Sequence, residues 1–237
     1  MTPLLRGNAH AQSTLKLFKM LRARYPEETA GPFLAMKGKF YEHARTKVML
    51  VGKATNAEMR DTRNARRVQE FRQRMGTLTT NLPDSPYWRF LALVLHELKV
   101  IASDDTDSAQ EHAVWSNVLK VGAKRGNPTG DLLRQQSAHA REALEAEIAE
   151  ANPDVIILTT ANLYFDVWSS VLMKKVEVDE REWTPIAAAA RYGVAPSAAW
   201  YRRVGSRHLF WCMHPERKPK GWRESVAKFI ASKVQDK

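Results

Sequence analysis

One cysteine in 237 residues sets the first limits on this chain. Cys212 has no partner for an internal disulfide, and an iron-sulfur cluster held by several thiolates of this chain is excluded. No stretch approaches the roughly 20 uninterrupted apolar residues of a membrane-spanning helix, so no membrane partner is expected. The segment MTPLLRGNAHAQ is too short and polar for the apolar core of a secretory signal, and the expected location is intracellular, cytoplasmic or nucleoid-associated. The patterns GxxxxGK[ST], GxGxxG and HExxH do not occur, nor do paired His and Cys spacings, so neither a metal nor an organic cofactor is expected. Internal repeats and low-complexity linkers are missing too. That favours a single domain over residues 1–237, with a helical extension at about residues 1–45.

Acidic residues are in deficit: 26 Asp plus Glu stand against 37 Lys plus Arg, for a formal charge of +11. An excess of this kind favours polyanions, nucleic acid first and anionic membrane surface second. At 44% hydrophobic and 27% charged residues, the rest of the composition suits a globular chain able to bury a sizeable core.

The chain is organised around Lys47 to Asp61, KVMLVGKATNAEMRD. Val48 to Val51 form an apolar run of buried-strand length, and Gly52 lets the backbone turn or approach a ligand closely. A helical pattern follows, with Ala65, Val68, Phe71 and Met75 at helical spacing; the arginines from Arg60 to Arg74 form a solvated or a phosphate-contacting face. Upstream, Ser13 is placed to cap a helix whose apolar face is Leu17, Phe18, Leu21 and Tyr25, stopped by Pro26. Downstream, residues 77–86 read as a loop, and Trp88, Leu91, Leu95 and Leu98 mark a buried helix.

Ala113 to Val121 reads as a second strand, interrupted by Ser116 and Asn117, which need a partner in protein, water or ligand. Asp131 is expected to cap a helix with Leu133, Ala140, Leu144 and Ile148 in register and a solvated face of Arg, Glu and Gln, ending at Asn152 and Pro153. Val155 to Leu158 is the plainest strand, followed by Thr159, Thr160 and a helix through Val167, Trp168, Val171 and Leu172. Val176 to Gly205 reads as an insertion or as short edge strands. A strand at His208 to Met213 then runs into HPERKPKGW, and a last helix carries Trp222, Val226, Phe229, Ile230 and Val234 on one face. Strands alternating with helices imply an α/β fold of three layers: a central, mainly parallel four-stranded sheet with helices on both faces. Parallel strands would bring their polar ends, GKATN, SN, TTAN and HPERK, to one edge of the sheet.

In order and spacing these clusters resemble the uracil-DNA glycosylase superfamily. The matching segments are Val51-Gly52-Lys53-Ala54-Thr55-Asn56, Trp115-Ser116-Asn117-Val118-Leu119-Lys120-Val121, Ile157-Leu158-Thr159-Thr160 and His208-Leu209-Phe210-Trp211-Cys212-Met213-His214-Pro215. The resemblance spans roughly Lys47 to the end. It implies a nucleic-acid partner, DNA in the first place, from which a base is flipped out of the stack. Gly52, Asn117 and Thr160 would line the base, with Asn117 reading its edge. His214 would stabilise negative charge on the leaving base, and Lys53, Arg217, Lys218 and Lys220 would hold phosphates.

The sequence departs from that family where the attacking water is held. The Asp, Asn or Glu that the family places second or third in its Gly-led motif is here Lys53 or Ala54, and neither orients water as a carboxylate or amide does. The Ser that follows the family's late His-Pro is here Glu216. Three outcomes remain open: Asn56, Glu58 or Asp61 takes over the role, the reaction is dissociative enough to run on His214 and phosphates, or the fold has kept a nucleic-acid surface and lost the reaction. Two functions follow, base excision by N-glycosidic hydrolysis or a catalytically silent module that binds nucleic acid or a modified base. A small-molecule enzyme of another α/β family is the third class.

Overall fold

The computed structural model describes residues 2–3, 8–54, 85–102, 106–161, 163–172, 184–185, 199–216 and 218–235. Asn56, Glu58, Asp61 and Arg217 lie outside the described residues, as do the helix expected through Met75 and most of the segment from Val176 to Gly205.

Among the described residues the strands are β1 (Thr2–Pro3), β2 (Thr29–Pro32), β3 (Met36–Lys37), β4 (Val48–Gly52), β5 (Ala113–Asn117), β6 (Val121–Ala123), β7 (Val155–Leu158), β8 (Thr184–Pro185), β9 (Ala199–Val204) and β10 (Arg207–Cys212). The helices are α1 (Asn8–Arg24), α2 (Pro86–Glu97), α3 (Thr106–His112), α4 (Gly130–Ala151), α5 (Phe165–Leu172) and α6 (Lys220–Gln235). Eight of the strands form one sheet in the order β1-β3-β5-β4-β7-β10-β9-β8. Its middle, β5-β4-β7-β10, is parallel throughout, and antiparallel strands extend it on both sides. The sheet is therefore wider than the four strands expected. Four strands are added: β1, β3 and β8 are two residues long, too short to show any periodicity, and β9 lies in the segment that reads as an insertion or as short edge strands.

The central strands are apolar at every position because both faces are covered. Side chains alternate between the faces. Val48, Leu50, Val155, Ile157 and Phe210 pack with Trp88, Leu91 and Leu95 of α2 and with Trp222, Val226 and Ile230 of α6. Met49, Val51, Ile156, Leu158 and Leu209 pack with Leu144 and Ile148 of α4 and with Val167 and Trp168 of α5. A third cluster joins Phe18 and Leu21 of α1 to Phe33, Val121 and Leu132.

Three local expectations are corrected. The run from Ala113 to Val121 divides: β5 stops at Asn117, and β6 pairs with β2 in a separate two-stranded sheet. Helix α1 begins at Asn8, so Ser13 lies inside it and its hydroxyl donates to the His10 carbonyl at 2.9 Å, as serine does in a helix interior. Thr129, not Asp131, occupies the cap position of α4, and Asp131 instead pairs with Arg134 one turn on.

The polar face of α4 is not wholly solvated either, since Gln136 and Glu147 are fully buried. Gln136 accepts from the Val121 amide and donates to the Val121 carbonyl, both at 3.1 Å, standing in for a strand neighbour of β6. At its other end α4 stops at Asn152, whose left-handed backbone (φ 43°) is a conformation asparagine tolerates.

Candidate functional site

Strand register assembles the polar ends. Gly52 stands opposite Asn117 across β4 and β5, and Val51 opposite Leu158 across β4 and β7. Trp211 stands opposite Leu158 across β7 and β10, so Thr159 and Cys212 come next on the same row, with Thr160 and His214 just past it. Backbone hydrogen bonds continue beyond the strands: Thr159 N–H donates to Val51 at 2.9 Å, Val118 N–H to Gly52 at 2.9 Å and Ala161 N–H to Cys212 at 3.2 Å. In chain order the four parallel strands run second, first, third, fourth. The reversal of direction thus falls between β4 and β7, where open α/β sheets leave a crevice for ligands.

At that crevice Gly52 has no room for a side chain. A β-carbon there would sit 2.4 Å from Asn117 Oδ1 and 3.3 Å from the Tyr87 hydroxyl. Asn117 is 3% exposed, and among the described residues its Nδ2 is a buried donor without a hydrogen-bond partner. Such a group costs about 1–3 kcal/mol if left unpaired, so an orphan amide lodged against a glycine at a strand end is suited to a ligand acceptor. The ring of Tyr87 stacks on the His214 imidazole, with centroids 5.5 Å apart and planes 23° from parallel. Tyr87 thereby links Asn117 to His214, two residues 97 positions apart in sequence. Its hydroxyl lies near Thr159 and the Trp115 indole but, among the described residues, in no well-formed hydrogen bond, and burial pushes its ionisation upward.

His214 is held as a neutral donor. The Glu216 backbone N–H donates to its Nδ1 at 3.3 Å, which assigns the ring proton to Nε2. Burial is the main cause that lowers its pKa to about 4; nearby Lys53 lowers it further, and the Glu216 carboxylate, 3.8 Å from Nδ1, opposes them. Burial also lowers the pKa of Lys53, with Glu216 again opposing. Lys53, His214 and Glu216 therefore form one electrostatic group at the mouth of the crevice.

The remaining expected residues divide. Thr160 is buried, and its hydroxyl donates to the Ala161 carbonyl at 3.2 Å, so it shapes the turn beneath the site. Lys218 accepts from Arg223 through its carbonyl at 2.9 Å, fixing the turn into α6. Lys220 is exposed and 3.7 Å from Glu224, a weak pair one helical turn along.

Ser116 and Asn117 were expected to need partners, and the two neighbours meet that need differently. The Ser116 hydroxyl donates to Glu147 at 2.6 Å, and the Lys120 ammonium donates to Glu147 at 2.6 Å, to Ser116 at 2.9 Å and to the Asn117 carbonyl at 2.6 Å. Lys120 and Glu147 are both fully buried, and His10 Nε2 lies 3.8 Å from the other Glu147 oxygen. This ion pair holds the Asn117 backbone carbonyl, while the side-chain amide lies against Gly52.

Tyr87 and the Lys120–Glu147 pair were not legible as site components. Tyr87 follows Ser85, whose hydroxyl caps α2, and Pro86 at the first helical position, so the SPYW pattern is a helix start at the edge of the expected loop. No protein-family model matches this chain, and no curated protein matches it.

Proposed function

We propose that this chain is a uracil-DNA glycosylase-like protein that binds nucleic acid and takes one base into the crevice at the ends of β4, β5, β7 and β10. The observation that carries this is the Asn117 amide, unpaired among the described residues, beside Gly52 and joined through Tyr87 to a neutral His214. A carbonyl oxygen on a flipped base gives Asn117 Nδ2 its missing acceptor, and the Tyr87 ring offers an apolar wall.

Breaking an N-glycosidic bond leaves electrons on the base and positive character on the sugar. A fixed donor at the base oxygen favours that charge separation without needing a proton from solvent. His214 Nε2–H can supply it, and Lys53 adds positive charge on the same side. Excision of a damaged or deaminated base is the activity of this arrangement, with the water-holding role assigned to Asn56, Glu58 or Asp61.

The runner-up is a module of the same fold that holds a base without cutting. It is favoured by Lys53 and Ala54 standing where a water-holding carboxylate or amide is expected.

DNA carrying a single uracil separates the two. Alkali-labile abasic sites that vanish in His214→Ala and Asn117→Ala establish excision. Binding that depends on Asn117 without such sites establishes the module. Absence of both, or salt-independent binding, rejects the nucleic-acid reading, because phosphate contacts weaken steeply with added salt.

A further inference from the structure

The opposite end of the sheet holds a concave surface. A cleft of about 550 Å³ opens where the central strands begin, between the turn before β4, the end of α2, the β9–β10 hairpin and the end of α6. Three cations from three separate segments converge on it: Arg45 before β4, Lys99 after α2 and Arg203 on β9. None of the three forms an ion pair with a described residue. One carboxylate, Asp154, also lines the cleft, but its Oδ2 is occupied by the Lys47 amide at 2.8 Å. Ser206 and His208 add polar groups, and His208 stands opposite Arg203 in the hairpin.

Like charges gathered around a hollow raise the local potential and concentrate anions there. The volume lies within the range of small-molecule sites, about 300–1,000 Å³. We infer that this cleft binds a phosphorylated small molecule of nucleotide size, its phosphates held by Arg45, Lys99 and Arg203. The site is separate from the crevice at the other strand ends and does not depend on what that crevice does.

Titration calorimetry on the full chain at low salt, with inorganic pyrophosphate and ADP as probes, tests this. Saturable binding of one equivalent is expected for both, and none for adenosine. Arg203→Gln and Lys99→Gln each weaken it by about tenfold, the effect of one charge-assisted contact. Lys19→Gln, an exposed charge on α1, leaves it unchanged and controls for net charge. Absence of saturable binding, or equal weakening by all three substitutions, overturns the assignment. So does a pattern in which Arg203→Gln weakens only a single-stranded oligonucleotide, because the cleft would then be part of a nucleic-acid track.

Discussion

Gly52 and Asn117 face each other across paired strand ends so closely that no β-carbon fits between them: it would lie 2.4 Å from Asn117 Oδ1. In Gly52→Ala either the amide swings out of the crevice or the β4 backbone shifts. A cost of about 1–3 kcal/mol is expected, typical of overpacking at a tight site, and is read as a lower urea midpoint at constant slope. Base binding should fall with it. An alanine variant with unchanged stability and unchanged binding would show that Asn117 is not fixed by this contact.

Asn117 itself allows function and stability to be separated. Among the described residues its Nδ2 is buried without a partner, and none of them gains from that nitrogen. Asn117→Leu keeps the approximate shape and removes the orphan donor. The variant should be as stable as the parent or up to about 1 kcal/mol more so, while losing recognition of uracil-containing DNA. A clear loss of thermal stability would instead mark the amide as a structural group.

The physical reason that some of this was legible is periodicity. Val48 to Val51 and Val155 to Leu158 advertise burial on two faces by having no polar position, and the tips that follow each run are polar because they emerge from the sheet. Strand pairs of two residues carry no such signal, which hid β1, β3 and β8. Long-range polar pairing is equally silent in one dimension. Lys120 and Glu147 are separated by 27 positions and look like ordinary surface charges until α4 lays one on the other. Tyr87 was hidden differently, as its neighbours Pro and Ser suit a loop and a helix start alike.

That buried pair is expected to be needed as a unit. Removing one member leaves the other charge without compensation in the core, so Glu147→Leu and Lys120→Met should each cost about 3–5 kcal/mol. Lys120→Met combined with Glu147→Leu should recover a large part of the loss, because both charges then leave together. Urea unfolding of the single and double variants gives the coupling directly. The double variant should nonetheless bind nucleic acid less well, since the Asn117 carbonyl and Ser116 lose the ammonium that positions them. If the loss in the double variant equals the sum of the two single losses, the two side chains are not energetically coupled.

Acid should unfold this protein through its histidines before its carboxylates. Burial is the chief cause that lowers His214 from 6.5 to about 4 and His10 from 6.5 to about 3, with Lys53 adding to the first and Lys120 to the second. Both rings are neutral in the fold and take up protons near pH 6.5 once the chain is unfolded. As pH falls below that value the unfolded state binds more protons, and stability declines by about 1.4 kcal/mol per pH unit for each ring. The contribution of these two histidines should therefore be flat above about pH 7 and fall between pH 6.5 and 4, with the His214 part levelling off near pH 4. Urea midpoints at pH 7, 6, 5 and 4.5 measure the slope. His214→Asn should flatten it by about one histidine's share, whereas a slope untouched by this substitution would mean that the folded protein protonates His214 as readily as solvent does.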